Sequence, residues 1–595
     1  MRLLATITLA ASFAVAQNVV LDPIVVSATN SKEKLQNITS NVVVITKEEL
    51  EDKHIDTVAE ALSEAQGVIV TQSGGVGQQA SVFLRGFDSD STIVMIDGVK
   101  INNPTLIGGQ ANIGNLIFGD IERIEVIKGP QSGVYGANAV AGVINIITQK
   151  ATNKCQANIN LEYGKYKTKK SQISLYKKIN NLSAYVSYSY LKTDGFSAQA
   201  DIDKSLSSYE DDAYENKTYN TKVTYDIGKY DKLNIQFMKI DTKTDYDQSI
   251  FMQDGYRLTQ EDKIFSSSYI HNYSKNSYSK IYYSKTDFLT DDPKGWTKEF
   301  KGQNKEFGID NKVKFSDNNE LLFGLNREIS KDKINNKELK STGVYVTSIF
   351  KYSNVIFNTT LRRDFYSNFK DKTTGKIGAK YNFDNGLTLS ANYGTAYRVP
   401  SLFEYSLNKN LKPETTKSYD ISLGYKNFNI TYFNNKIDDE IIFDNATFSY
   451  VNGSKKSTIK GYELGYKNAI TKDLFLSVDY TRYIAKDKDG KQLLRRPKFI
   501  ANLGLDYYGF KNTHINFNAQ YIGKRDDISF DPITFTSKRI TLGGVFVANA
   551  SVDYKVNKNL SLYAKINNIF DKKYQMVKGY ATSGRAVYVG LNAKF

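Results

Sequence analysis

The chain has 595 residues and a formal net charge of +16, spread along its length rather than clustered on one motif, so the charge does not mark a nucleic-acid surface. One cysteine, Cys155, excludes an internal disulfide, and the three histidines, His54, His271 and His514, are scattered in sequence, so no thiolate or imidazole metal cluster is expected. Mean hydropathy is −0.43 and no run beyond residue 16 approaches the roughly 18–20 apolar residues of a spanning helix, a pattern that still admits a β-barrel, where polar lumen-facing residues mask the lipid-facing ones.

Met1-Arg2 and the apolar stretch Leu3 to Ala16, closing on Ala14-Val15-Ala16, read as a secretory signal peptide over residues 1–16. A short tail, 17–28, follows. Residues 29–150 form a compact α+β unit: Val42 to Ile45 predicts a short strand, and Lys47 to Glu64, with Leu50, Val58, Ala61 and Leu62, predicts helix. The later parts are Gly-rich. Such a unit can sit inside a wide barrel or form a separate periplasmic domain.

From about residue 160, apolar and polar residues alternate in segment after segment, the pattern of transmembrane strands. Leu182, Ala184, Val186, Tyr188 and Tyr190 form one such row; Leu474 to Tyr480, Phe499 to Tyr507 and Ile515 to Tyr521 form others. The last is Val587, Val589, Leu591, Ala593 and Phe595 alternating with Tyr588, Gly590, Asn592 and Lys594. The roughly 445 residues of 151–595, at about 20 per strand and connection, predict about 22 antiparallel strands, a size class with a plugged lumen. The 42 Tyr and 32 Phe suit aromatic girdles at both membrane interfaces. Asp384-Asn385-Gly386 predicts a short periplasmic turn, and 194–220 and 241–262 predict extracellular loops.

Arg123-Ile124-Glu125-Val126-Ile127-Lys128-Gly129-Pro130-Gln131-Ser132-Gly133-Val134-Tyr135-Gly136, with Gly142 to Thr148, resembles the plug signature of TonB-dependent outer-membrane receptors. So does Val82-Phe83-Leu84-Arg85-Gly86 with Ile93 to Val99. Ahead of the plug, Leu21 to Ala28 resembles a TonB box, carried by Asp22, Pro23, Ile24, Val25 and Val26; an exposed β-prone tail can add as an edge strand to a partner's sheet. The resemblance implies a transmembrane β-barrel with an N-terminal plug in its lumen, monomeric in outer-membrane lipid and lipopolysaccharide. The implied partner is TonB with its proton-driven ExbB-ExbD complex.

Within the family, similarity to the cobalamin (vitamin B12) receptors runs nearly end to end. Ser73 to Ser81, Leu493-Leu494-Arg495-Arg496, Gly543-Gly544-Val545, Ile566 to Tyr574 and Gly579 to Arg585 carry it. By position the resemblance implies corrinoid contacts at Gln79, Ser81, Asp88, Leu106, Ile107, Arg495 and Phe530, a set of hydrogen-bonding groups beside aliphatic and aromatic platforms. Gln79 and Asp88 depart from the family residues, and Arg495 has a second reading as a lumen arginine paired to the plug. The family also implies calcium as a structural ligand, held by carboxylates of two outer loops: Glu210, Asp212 and Asp247 here, with Ser197 where the pattern has Asp. The acidic run has a plainer reading as a solvated loop.

The expected function is TonB-dependent import of cobalamin or a related corrinoid across the bacterial outer membrane. A ferric-siderophore receptor, most of all for catecholates, is the alternative, and a passive porin or adhesin a second. Residues 398–411 contain no His between their two common receptor motifs, which disfavours haem. No nucleophile-base pair, paired-carboxylate site or phosphate loop points to an enzyme.

Overall fold

The computed structural model describes residues 24–25, 33–117, 121–151, 155–200, 210–247, 256–295, 297–316, 318–454, 456–487, 489–531, 534 and 536–595. The expected signal peptide and Asp22, Pro23 and Val26 lie outside them, as do 201–209 and 248–255 of the predicted outer loops.

Twenty-two antiparallel strands, from Gln156–Gly164 to Ala586–Lys594, close into a barrel. The first and last strands pair directly, from Asn158 opposite Lys594 to Gly164 opposite Tyr588. The predicted alternation holds: along Leu182–Thr193, Leu182 and Val186 face outward while Tyr185, Ser187 and Ser189 are buried toward the lumen. One rim carries short turns, including 180–181, 353–354 and the predicted turn at 383–386; the other carries 194–200, 210–213, 399–413, 439–454, 523–531, 536–544 and 568–585. Short turns face the periplasm in such barrels, so the long-loop rim faces outward.

Two predicted loops are shorter than the sequence implied. Strands Tyr214–Ile227, Asp231–Asp245 and Arg257–Asn272 reclaim 214–220, 241–245 and 257–262. These polar stretches are strand because one face meets a polar surface inside the barrel: Asn216 donates to the Asn115 carbonyl at 2.9 Å, and Asn115 to Thr242 Oγ1 at 3.3 Å. At 15 residues, Asp231–Asp245 outruns the roughly 9–11 that cross a bilayer, so its outer end stands clear of lipid.

Inside sits a five-stranded mixed sheet ordered Val42–Thr46, Ile121–Lys128, Gly142–Thr148, Thr92–Ile96 and Val99–Lys100, beside the hairpin Val68–Gln72/Ala80–Leu84. Leu62, Leu84, Ile124, Val126, Ile144 and Ile146 form its fully buried core. The predicted helix 47–64 is two helices, α1 (Lys47–Asp52) and α2 (Val58–Ser63). The break follows from capping: Thr46 and Glu49 form a capping box, and Thr57 accepts from the Glu60 amide at 3.1 Å, restarting the helix after His54, whose φ is +50°.

This unit touches strands all around the wall: Asn41 donates to Thr431, Lys100 pairs with Glu328, and Asp56 pairs with Lys170 and Lys565. It therefore fills the lumen, and the separate periplasmic domain is set aside. Tyr508 donates to Asp52 and Lys594 pairs with Glu51, which puts α1 at the short-turn rim. Ile24 and Val25 pair with Lys34 and Glu33, and Glu33 lies 3.7–3.8 Å from Lys312 and Lys351, at the same periplasmic mouth.

Candidate functional site: the outward face of the plug

Three plug loops reach the opposite rim. Loop 73–79 joins the two strands of the plug hairpin and is pressed against the barrel: a Cβ at Gly77, where φ is +87°, would overlap the Tyr214 ring, and one at Gly74 would meet Ala198 at 2.8 Å. Only glycine permits both that backbone and that approach. Gln78 donates to the Asp245 carbonyl at 2.7 Å, leaving Gln79 exposed and Ser81 half-buried. Loop 86–90 is tied to the first by Val82, whose amide donates to Ser89 Oγ at 2.8 Å. Loop 103–110 is anchored by the Leu402 amide donating to the Pro104 carbonyl, and it presents Ile107 at 57% exposure beside half-buried Leu106.

The Leu493 to Arg496 motif divides its two arginines. Arg496 pairs with Asp88 at 2.7 Å, donates to the Gly86 carbonyl at 3.0 Å and lies over the Phe83 ring at 4.2 Å. The plug-pairing role read for Arg495 thus falls to its neighbour. Arg495, at a φ of +61°, is half-exposed and pairs with Asp527 at 3.1 Å. Asp527 lies on the hairpin Arg525–Asp531/Thr536–Leu542 that carries Phe530, 55% exposed. Gln79, Ser81, Asp88, Leu106 and Ile107 therefore gather on the outward face of the plug with Arg495 at their margin, while Phe530 shares its hairpin with Asp527.

Beside loop 73–79, Asp212 accepts from the Ala198 amide at 2.6 Å and Asp247 from Ser197 Oγ at 3.2 Å. Both carboxylates are buried, and each keeps one oxygen, Oδ1, without a hydrogen-bond partner. Burial, reinforced by Asp247, Glu210 and Asp245 against the Ala198 hydrogen bond, pushes the Asp212 carboxyl up to about 8; burial also raises Asp247. Buried acids with unmet lone pairs have the donor chemistry of a hard-cation site, and Ser197 adds a hydroxyl where the family pattern has a carboxylate. The loop bearing Ser197 is latched across the rim: Ala581 donates to the Ala198 carbonyl, and Ala200 to that of Gly579.

Sequence reasoning missed the layer below. Arg85 forms a double hydrogen bond to Glu463, 3.0 Å in each arm, and lies 3.4 Å from Asp420; Lys128 joins Glu463 at 3.1 Å. All four are buried. The usable signal was a carboxylate on the lumen side of an otherwise alternating strand, a costly placement unless paired. Two of the histidines, scattered in sequence, meet at one carboxylate: His54 pairs with Asp553 at 2.8 Å, and His514 Nδ1 lies 3.7 Å from the same group. Antiparallel pairing and the inserted plug bring together residues that are remote in sequence.

Residues 34–143 match the TonB-dependent Receptor Plug Domain family, and residues 163–569 match the TonB dependent receptor-like β-barrel family. A vitamin B12 transporter BtuB of Photobacterium profundum is 29% identical, with 96% of each chain covered. Among solved structures, the siderophore receptor PirA of Acinetobacter baumannii has a TM-score of 0.81 at 18% identity, covering 93% of this chain and 98% of that one. The ferric enterobactin receptor PfeA of Pseudomonas aeruginosa gives 0.80 at 17%, covering 93% and 98%. Closed barrel, enclosed plug and both family matches agree: this chain belongs to the TonB-dependent receptors of the bacterial outer membrane.

Proposed function

We propose that this receptor imports cobalamin or a related corrinoid. The observation that carries the reading is the likeness to a vitamin B12 transporter over 96% of both chains, which spans the loops that form the outward face. That face suits an amide-fringed macrocycle: Gln79, Ser81, Asp88 and Arg495 supply hydrogen bonds, and Leu106, Ile107 and Phe530 supply apolar platforms. Residues 1–16 would be removed on export, leaving a 17–28 tail, a 29–150 plug and a 151–595 barrel that works as a monomer among lipid and lipopolysaccharide. Calcium would be held by Asp212 and Asp247 with Glu210 and would order the loop that presses on 73–79. When bound it supplies positive charge to carboxylates that otherwise repel one another.

Transport then couples two sites. Strand Ala80–Leu84 runs from the ligand loop to Arg85, so ordering of Gln79 and Ser81 is transmitted to the buried ion pairs. TonB, energised by ExbB-ExbD, would take Ile24 and Val25 as an edge strand, displacing their present pairing with Glu33 and Lys34.

The second reading is a catecholate siderophore receptor, favoured by the names of the structural relatives. Purified receptor is titrated with cyanocobalamin and with a ferric catecholate, each with and without calcium. Saturable corrinoid binding strengthened by calcium is expected; binding of the catecholate alone overturns the assignment. Deleting residues 21–28 should abolish uptake while leaving binding intact, whereas a passive pore would be unaffected.

A further inference from the structure

At the periplasmic mouth, far from the ligand face, three side chains of the plug–barrel junction meet, with two carboxylate oxygens 3.7 and 3.8 Å from one imidazole nitrogen. Asp52, at the end of α1, accepts from Tyr508 on Oδ2 at 2.6 Å, which leaves Oδ1 facing His514 Nδ1 at 3.8 Å. Asp553, on the barrel strand Val545–Lys555, is engaged by His54 on Oδ1 at 2.8 Å, which leaves Oδ2 facing the same Nδ1 at 3.7 Å. His514, on the strand Thr513–Ile522, has its Nε2 on Asp506 at 3.1 Å. Its Nδ1 makes no hydrogen bond although the residue is only 6% exposed, and Asp553 Oδ2 is likewise buried without a partner.

The buried imidazole nitrogen lies between two carboxylate oxygens that are within ion-pairing range but make no hydrogen bond to it. Separations of 3.7–3.8 Å are too long for hydrogen bonds, yet they suit donors sharing an ion about 2.0–2.2 Å from each. Each donor is also oriented from behind, Asp52 by Tyr508, Asp553 by His54 and His514 by Asp506, as outer partners orient ligands in metal sites. Asp52, Asp506 and His514 bring ligand atoms within 4.8 Å of one another, so the cluster is compact, with Asp506 as the outer partner on Nε2. The Asp52 side chain is 36% exposed, which gives an ion an entry path from the periplasm.

We propose that His514, Asp52 and Asp553 bind one divalent transition-metal ion, with zinc as the fitting probe, and that this ion staples helix α1 of the plug to the barrel. One imidazole with carboxylates suits zinc better than calcium. Since Asp52 belongs to the plug and the other two to the wall, the ion would resist displacement of α1, in the region where the tail is to be pulled. The inference rests on neither the corrinoid assignment nor the outer acidic cluster.

The test uses the full-length receptor in detergent, stripped by a chelator and then equilibrated with zinc in excess calcium, which keeps the outer carboxylates occupied. Elemental analysis should find about one zinc per chain. Hydrogen exchange in residues 47–52 should slow when zinc is added. His514→Ala and, separately, Asp553→Asn should lose both effects while keeping the heat-resistant barrel of the parent. Zinc retained equally by both variants, or no zinc held above background by the parent, overturns the proposal. Slowed exchange on acidification with no response to zinc also overturns it, because a protonated His514 bridging the carboxylates would then be the staple.

Discussion

The plug meets the barrel in two contrasting ways. Toward the outside, contact is made by loops: glycines lie flat on Tyr214 and Ala198, an amide reaches a carbonyl, and the candidate ligand groups stay exposed or half-buried. In the middle, contact is made by buried charge, with Arg85, Lys128, Asp420 and Glu463 withdrawn from water and satisfied mainly by one another. An outer face of exposed groups can reshape around a ligand at small cost. A desolvated ion network is tolerant of nothing: intact it holds, but removal of one member strands the others. A receptor that must both sense and stay shut gains from keeping these two behaviours in separate layers.

The contrast can be broken most forcefully at its lower layer. Glu463→Ala leaves Arg85 and Lys128 buried and unpaired, and it should loosen the plug by about 3–5 kcal/mol, read as faster hydrogen exchange across 121–128 with the barrel unaffected. In the outer layer, Asp212→Asn should weaken calcium binding by at least the roughly 10–100-fold that even an outer partner costs, with no change in exchange at 121–128. Gly77→Val forces a strained backbone and a clash with Tyr214; about 1–3 kcal/mol, or roughly 5–150-fold in ligand affinity, is expected from a titration.

Acidity sharpens the same division. The Asp212 carboxyl, ordinarily near 3.9 and lifted to about 8, is neutral below that pH and cannot ligate. Calcium affinity should therefore fall as pH drops below about 8, by up to about tenfold per unit per proton displaced. The metal-free loops behave oppositely: a raised carboxyl contributes its full stability below about 4 and loses it as pH rises through about 8. Opposite pH trends with and without calcium, followed by protease nicking of 194–213, check both signs. The smallest effect is expected of Arg495→Ala, about 1 kcal/mol in corrinoid binding, because that side chain is half-exposed and its carboxylate partner Asp527 keeps other donors, including the Lys578 amide at 2.7 Å.

Much of the architecture was legible in period-two patterning, since lipid outside and polar groups inside force each strand such as Phe499–Tyr507 to declare its faces. Strand ends were not legible: 214–220 and 257–262 are polar on both faces once they leave the bilayer, and polar alternation reads as loop. The break at residues 53–57 hid because Lys47 to Glu64 carries helical spacing throughout; only Thr57, with Glu60 three residues on, hinted at a restart. Motif resemblance reached the outward loops but could not say that Arg496, not Arg495, reaches the plug, since adjacent residues differ in direction and that is fixed by the backbone at Arg495. Partnerships such as Glu463 with Arg85, or His514 with Asp52, join residues hundreds apart and emerge only when the wall closes round the plug.

That closure has a bearing on how the wall is held together. The seam joins the first strand of the wall to the last, and Ala157 and Phe595 exchange both backbone hydrogen bonds across it. Lys594 on one side of the seam reaches Glu51, and Lys170, on the strand next to the other side, reaches Asp56, so the stopper itself spans the join. The plug therefore doubles as a clasp on the wall, bracing from within the one place where its two ends meet.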